Sequence, residues 1–392
     1  MDQPDNSNSL DKIYLLLALC ARAEGHSIFY EQLARHVEEI NNWQEVPRQA
    51  ELHGMAPLLW YHIHQSGVPI PRETERTLKG LYYRHRKINQ VYTQALLEIT
   101  TLFERSGIQA LVLKGLALAY HCYPDPALRP VSDIDFLLRR EDMLPALTLL
   151  AEAGFHTDLA YATKGVIPKE LVANTPPRDG IRMRVELHYF DPTVGPLSGE
   201  PSVDNEFKGF GAPPNTLLID GQTIYVPPLM DTLRYLTRHL SKHLFGATDT
   251  KPLQLKWVAD LISLLERHVD SIDWVYLQQN HPDILKRLEV FYSLTPLPER
   301  FADIMPVRQI PPPQGLNRYP QGWPKQAFSQ SKQTGFLRFL AKTFSRPSAW
   351  WLCLYYGIDA QSVFWYGQVI YRLQIQRRML RVLFNKLGFA RF

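Results

Sequence analysis

Cysteine is scarce in this chain. Cys20, Cys122 and Cys353 are the only three in 392 residues, and they lie too far apart to form a disulfide framework or a metal knuckle. A reducing, cytoplasmic setting is the expectation. Long apolar runs are missing too: no segment reaches the roughly 18 uninterrupted apolar residues that a spanning helix needs. The aromatic run after Ser348 is cut by Asp359 and Gln361, and the stretch Ile13 to Ala21 is broken by Arg22 and Glu24 with no basic region before it. Neither a transmembrane span nor a signal peptide is expected. No repeat of fixed period occurs, which excludes a solenoid. Acidic residues nearly vanish from the last quarter, where residues 300–392 carry 14 Lys and Arg against 2 Asp and Glu. Residues 1–299 carry 29 against 37, so the formal charge of +4 hides an acidic body and a basic tail. The tail should face something anionic.

What is present is an ordinary globular composition, 45% hydrophobic, on a chain long enough for two or three packed units. From Leu10 to Gly107 the apolar spacing is helical, and "PRETERTLKGLYYRHRKINQVYTQALLEITTLFERSG" reads as one long helix with Pro71 near its start and Gly107 closing it. At Ile108 the period changes. "IQALVLKG" is a short strand closed by Lys114 and Gly115, "LALAYHCY" is helical, "SDIDFLLR" alternates as a strand, and "REDMLPALTLLAEAGF" is helical. "TKGVIPKELVANTPPRDG" reads as a loop, and "IRMRVELHYF" alternates again. This order predicts an α+β fold with a small mixed sheet. The expected divisions are a helical region over 1–107, an α/β core over 108–228, helices packing on it over 229–305, and a basic aromatic helical tail over 306–392 after a Pro-rich linker.

"LRPVSDIDFLL", Leu128 to Leu138, sets two aspartates inside an apolar run. In a strand, residues i and i+2 share a face about 6.5–7 Å apart. Asp133 and Asp135 therefore face one way while Ile134 and Phe136 face the other. Two adjacent carboxylates stay ionised only if a cation holds them, and hard divalent ions suit carboxylate oxygens. "RMRVELHYF" puts Arg184, Glu186 and His188 on one face of a later strand. If that strand pairs beside the first, Glu186 completes a three-carboxylate cluster fit for a two-metal phosphoryl-transfer site. Lys114 and Gly115, at a turn opening a helix, are candidate phosphate contacts, as is Arg129 with its planar fork.

Each feature also has a plainer reading. Glu186 could pair with Arg184 on the surface, Arg129 could pair with Asp125 or anchor its loop, and His188 reads as a structural histidine. His239, Lys242 and His243 share a helix face, but Leu240 stands where a metalloprotease motif would need its Glu. The aromatic basic tail is open to three readings: a helical subdomain with a basic face, an RNA-binding surface, or an amphipathic helix on a membrane surface.

"VLKGLALAYHCYPDPALRPVSDIDFLL" followed by "VELH" resembles the bacterial nucleotidyltransferase-like family of the DNA polymerase beta superfamily. "AELHGMAPLLWYHI", "LRYLTRHLSKH" and "LKWVADLISLLERHVDSIDW" resemble its flanking helices, so the likeness covers most of residues 45–280. The chain departs from the superfamily's minimal motif in carrying Lys114 in place of a small residue and in spacing Gly115 and Asp133 by 18 positions. The resemblance implies an enzyme that moves a nucleoside monophosphate, AMP by expectation, from an NTP to an acceptor hydroxyl or phosphate on a small molecule or saccharide. It implies Asp133, Asp135 and Glu186 as catalytic metal ligands and Lys114, Gly115 and Arg129 as nucleotide contacts. Two Mg²⁺ ions are the implied cofactors, with Mn²⁺ as a substitute. The alternatives are an RNA- or protein-directed nucleotidyltransferase, or a non-catalytic scaffold docked through its tail.

Overall fold

The computed structural model describes residues 5–158, 170–189, 213–245, 254–292 and 295–306. The basic tail and its linker lie outside the described residues, as do the side chains of Lys242 and His243. Among the described residues, no helix is long and apolar enough to cross a membrane. Cys20 and Cys122 are buried free thiols.

The chain begins with five helices: α1 (Asp5–Leu19), α2 (Ser27–Glu38), α3 (Val46–Leu52), α4 (Ala56–Ser66) and α5 (Arg72–Arg105). The long helix expected from the sequence is α5. Glu73 and Glu75 complement the dipole in its first turn, and Gly107, at φ +73°, ends it in the left-handed conformation that glycine adopts without strain. After it come β1 (Leu111–Val112), α6 (Leu116–Cys122), β2 (Ile134–Leu137), α7 (Met143–Glu152), β3 (His156–Thr157), β4 (Glu170–Asn174) and β5 (Arg184–His188). A hairpin of β6 (Asn215–Ile219) and β7 (Gln222–Val226) follows, then α8 (Leu229–Phe245), α9 (Leu255–Arg267), α10 (Trp274–Asn280) and α11 (Pro282–Phe291). The fold is α+β.

Five strands form the main sheet in the order β1-β2-β5-β4-β3. The β2–β5 pair is parallel, and the other pairs are antiparallel. β4 corrects the loop expected from "TKGVIPKELVANTPPRDG". Leu171 and Ala173 alternate inward and are buried, while Val172 and Ala173 pair with Glu186 and Val185. Only two inward positions, followed closely by Pro176 and Pro177, make the strand hard to read from sequence.

The sheet separates two apolar clusters. Ile134, Phe136, Val185 and Leu187 pack with the second half of α5 and with α7. Leu111, Leu113 and Leu137, from the other face, join a cluster that also contains residues of α1 to α4 and of α8 to α11. Helices from the two ends of the described chain thus share one core. Arg22 is wholly buried there, donating to Glu266 and to the Pro296 carbonyl, both at 2.6 Å.

Candidate active site

Before β2 the chain runs through a short 3₁₀ turn, Pro126–Leu128, and an extended stretch. α5 holds this stretch: Asn89 Nδ2 donates to the carbonyls of Pro126 (2.7 Å) and Arg129 (2.9 Å), and the Tyr92 hydroxyl donates to the Ser132 carbonyl (2.8 Å). The strand that follows starts from a fixed position.

β2 and β5 are in register with Asp135 opposite Glu186 and Leu137 opposite His188. Directly paired residues share a sheet face, so Asp135, Glu186 and His188 converge. One candidate ligand atom from each lies within 4.8 Å of the others. His188 Nε2 is 3.2 Å from Asp135 Oδ1 and 3.6 Å from Glu186 Oε2. Lys114 Nζ reaches Asp135 Oδ1 at 3.1 Å, and Arg184 Nε reaches Glu186 Oε1 at 2.6 Å. Lys114 gets there from the turn after β1, where Gly115 takes φ +57° and ψ −116°, a conformation that a side chain would strain.

The electrostatics follow from burial. Asp135 is 2% exposed; burial raises its pKa and Asp133 adds to this, opposed by Lys114 and His188. Burial alone would lower the pKa of Lys114, but Asp135, Tyr235, Asp133 and Glu186 outweigh it and hold the ammonium charged. For Glu186, burial is overcome by His188, Lys114 and Arg184, and its pKa falls to about 2. For His188, burial is overcome by Asp135 and Glu186, and its pKa rises to about 9.

These shifts predict a pH dependence in the metal-free protein. Glu186, depressed below its ordinary 4.5, stabilises the fold above that pH and loses the contribution as pH falls toward about 2. His188, raised above 6.5, stabilises below that pH and loses the contribution as pH rises toward about 9. In chelator, melting temperature should therefore decline between pH 6.5 and 9, and His188→Gln should flatten that decline. An unchanged alkaline slope in the variant would refute the pairing.

The expected site residues are not placed alike. Asp133 precedes β2, is half-buried and accepts from Ser132 Oγ at 3.4 Å. It lies outside the close group of Asp135, Glu186 and His188, although its charge acts on Asp135 and Lys114. Arg129 sits elsewhere. Only 2% exposed, it donates through Nε (3.0 Å) and Nη2 (2.6 Å) to Asp260 of α9 and through Nη1 to the Pro130 carbonyl. Its fork is filled by a carboxylate, the loop-anchoring role among the sequence readings, though with Asp260 as the partner. Asp125 instead caps the 3₁₀ turn by accepting from Ala127 N. His188, read from sequence as structural, joins the acids; its shared face with Glu186 was the available signal. His239 is buried against the rings of Tyr235 and Trp257.

The acid group fits a divalent cation. Asp135 Oδ2 is buried with no hydrogen-bond partner among the described residues, and an unsatisfied buried carboxylate oxygen is costly unless something positive meets it. Asp135 and Glu186 offer hard oxygen donors, and Asp133 adds negative charge that acts on Asp135. A second gathering, His121, Cys122 and His268, fits less well. Burial raises the Cys122 thiol pKa, keeping it protonated, and Arg267 acts on all three groups.

The family described as uncharacterised nucleotidyltransferase matches residues 39–295. The chain belongs to that family. The match takes in α3 to α11, the whole sheet and every acid and base of the site. No curated protein and no solved structure matches the chain. Membership makes the protein a nucleotidyltransferase, a class of enzyme that generally relies on divalent metal ions.

Proposed function

We infer that this nucleotidyltransferase moves a nucleoside monophosphate, AMP in the first instance, from an NTP to a hydroxyl or phosphate of a small molecule or saccharide. The observation that carries this reading is the direct pairing of Asp135 with Glu186 across parallel strands, together with the orphaned Asp135 Oδ2. The bond from the α-phosphorus to the oxygen bridging it to the β-phosphorus breaks, a bond from the acceptor oxygen to the α-phosphorus forms, pyrophosphate leaves with the bridging oxygen, and a hydroxyl acceptor gives up its proton.

Asp133, Asp135 and Glu186 would hold Mg²⁺, with Mn²⁺ as a substitute. Bound there, the ions would neutralise the polyphosphate and acidify the acceptor hydroxyl. The chain's own groups set the stage. Arg184 holds Glu186 Oε1, so its carboxylate plane is fixed. His188 spans the two acids and limits their repulsion. Lys114 neutralises Asp135 at the same oxygen, Oδ1, that His188 approaches. Glu186 is the group this reading assigns to accept the acceptor's proton.

Isothermal titration with Mg²⁺ and each NTP tests the reading. ATP should bind in the presence of Mg²⁺ and much more weakly in chelator; absence of binding by every NTP would favour a scaffold. The basic tail supports a second acceptor class, RNA, through its excess of 14 basic over 2 acidic residues. RNA held this way should lose affinity steeply between about 50 and 200 mM salt, and a flat response would remove it.

A further inference from the structure

Lys256, in the first turn of α9, is 7% exposed. None of the described residues puts an acceptor within hydrogen-bond or ion-pair distance of its ammonium. A lysine this buried with no direct acceptor is costly to keep, yet the surrounding chain is shaped to hold this one. Gly54, in the turn between α3 and α4, has φ +65°, and a Cβ there would lie 2.7 Å from Lys256 Cδ and 3.2 Å from Cγ. The lysine stem therefore lies across a bare glycine. The same turn pins the start of α9: Lys256 N donates to the His53 carbonyl (3.1 Å) and Gln254 Nε2 to the Leu52 carbonyl (3.2 Å).

One helical turn along α9, on the same face, Asp260 grips Arg129 and accepts from the Tyr123 hydroxyl at 3.0 Å. Arg129 stands four residues before Asp133. Lys256 is thus held beside the stretch that delivers the acids, and the charges acting on it are Arg129, Asp133, Asp260 and Lys114. The other two basic candidates are already neutralised, Lys114 by Asp135 and Arg129 by Asp260. An incoming triphosphate meets a carboxylate-lined face, and Lys256 is a buried lysine there that no carboxylate among the described residues pairs directly.

We propose that Lys256, carried on α9 and seated over Gly54, forms a polyphosphate subsite that receives the β- and γ-phosphates of the NTP. The subsite rests on the nucleotidyl-transfer reading for its ligand. Lys114 and Arg129 then act as positioning residues, one for Asp135 and the other for the stretch before Asp133. Burial, with Arg129 second, lowers the Lys256 pKa to about 8, and an arriving phosphate would restore the charge fully.

The test uses the full chain with Mg²⁺ and three probes: a non-hydrolysable ATP analogue, AMP and inorganic tripolyphosphate. Lys256→Met should weaken the ATP analogue and tripolyphosphate by roughly 10- to 100-fold, the worth of one charge-assisted contact, and leave AMP within about twofold. Lys256→Arg should recover most of the loss. Melting temperature of Lys256→Met should hold or rise, because a buried charge with no direct ion-pair partner among the described residues is removed; a merely structural lysine would give a fall. Equal weakening of AMP and the triphosphate would assign Lys256 to packing and overturn the subsite. So would unchanged triphosphate binding in Lys256→Met, with the nucleotidyl-transfer reading left standing. Wild-type binding of tripolyphosphate but of no nucleotide, lost in Lys256→Met, would uphold the subsite and remove that reading. Binding of none of the probes would remove both.

Discussion

Asp133→Asn combined with Asp135→Asn should lower Mg²⁺-dependent pyrophosphate release by at least about 10³-fold, more than the loss of a single preorganised donor. Such a factor corresponds to about 4 kcal/mol of transition-state stabilisation. Both replacements keep the side-chain volume and remove only charge, so Ile134 and Phe136 should still pack against α5 and α7. Asp135→Asn alone should give most of the loss. Its carboxylate is the buried one, with an oxygen that none of the described residues satisfies. The single Asp133→Asn variant should lose less, because Asp133 is half-buried and set apart from the close group. Pyrophosphate release, read by a coupled assay alongside circular dichroism for the fold, decides it. Release unchanged in the folded double variant would remove the acids from the chemistry.

Asp260→Ala should be among the most damaging single replacements for stability. Asp260 and Arg129 are each about 2% exposed at the side chain. Truncating one partner of a buried pair leaves the other charged and unsatisfied, at a cost of about 3–5 kcal/mol. At about 2–4 °C per kcal/mol, melting temperature should fall by roughly 6–20 °C. Replacing both residues with leucine should cost less than Asp260→Ala alone, since no orphan charge remains. A double-mutant cycle measures the coupling. A drop under about 2 °C for Asp260→Ala would show that water or a neighbour takes over the guanidinium.

The contrast between these two sites shows what a linear sequence can reveal. Asp133, Asp135 and Glu186 stand out because strand alternation is a local pattern, and an acid inside an apolar run breaks it visibly. Their neighbours are local as well: Lys114 closes β1, and His188 is two residues past Glu186. Arg129 is different. Its partner lies 131 residues away on α9, and nothing near Arg129 marks it as paired. Lys256 is obscured for a related reason, since on an amphipathic helix a lysine ordinarily belongs to the wet face. Only the placement of α9 under the turn at Gly54 shows that this one points inward. β4 is hidden for another reason: five residues with two buried positions leave too short an alternation beside its prolines.

The Arg22 contact also sets an order of events during synthesis. Its carboxylate partner, Glu266, lies 244 residues later in the chain. At roughly 5–20 residues per second, α1 and its neighbours emerge about 12–50 s before the helices that cover them exist. For that interval the apolar side of the early helices has no native surface to meet. Arg22, wholly buried once folding is complete, puts a charge on that waiting surface, as gatekeeper residues do beside unavoidable apolar segments.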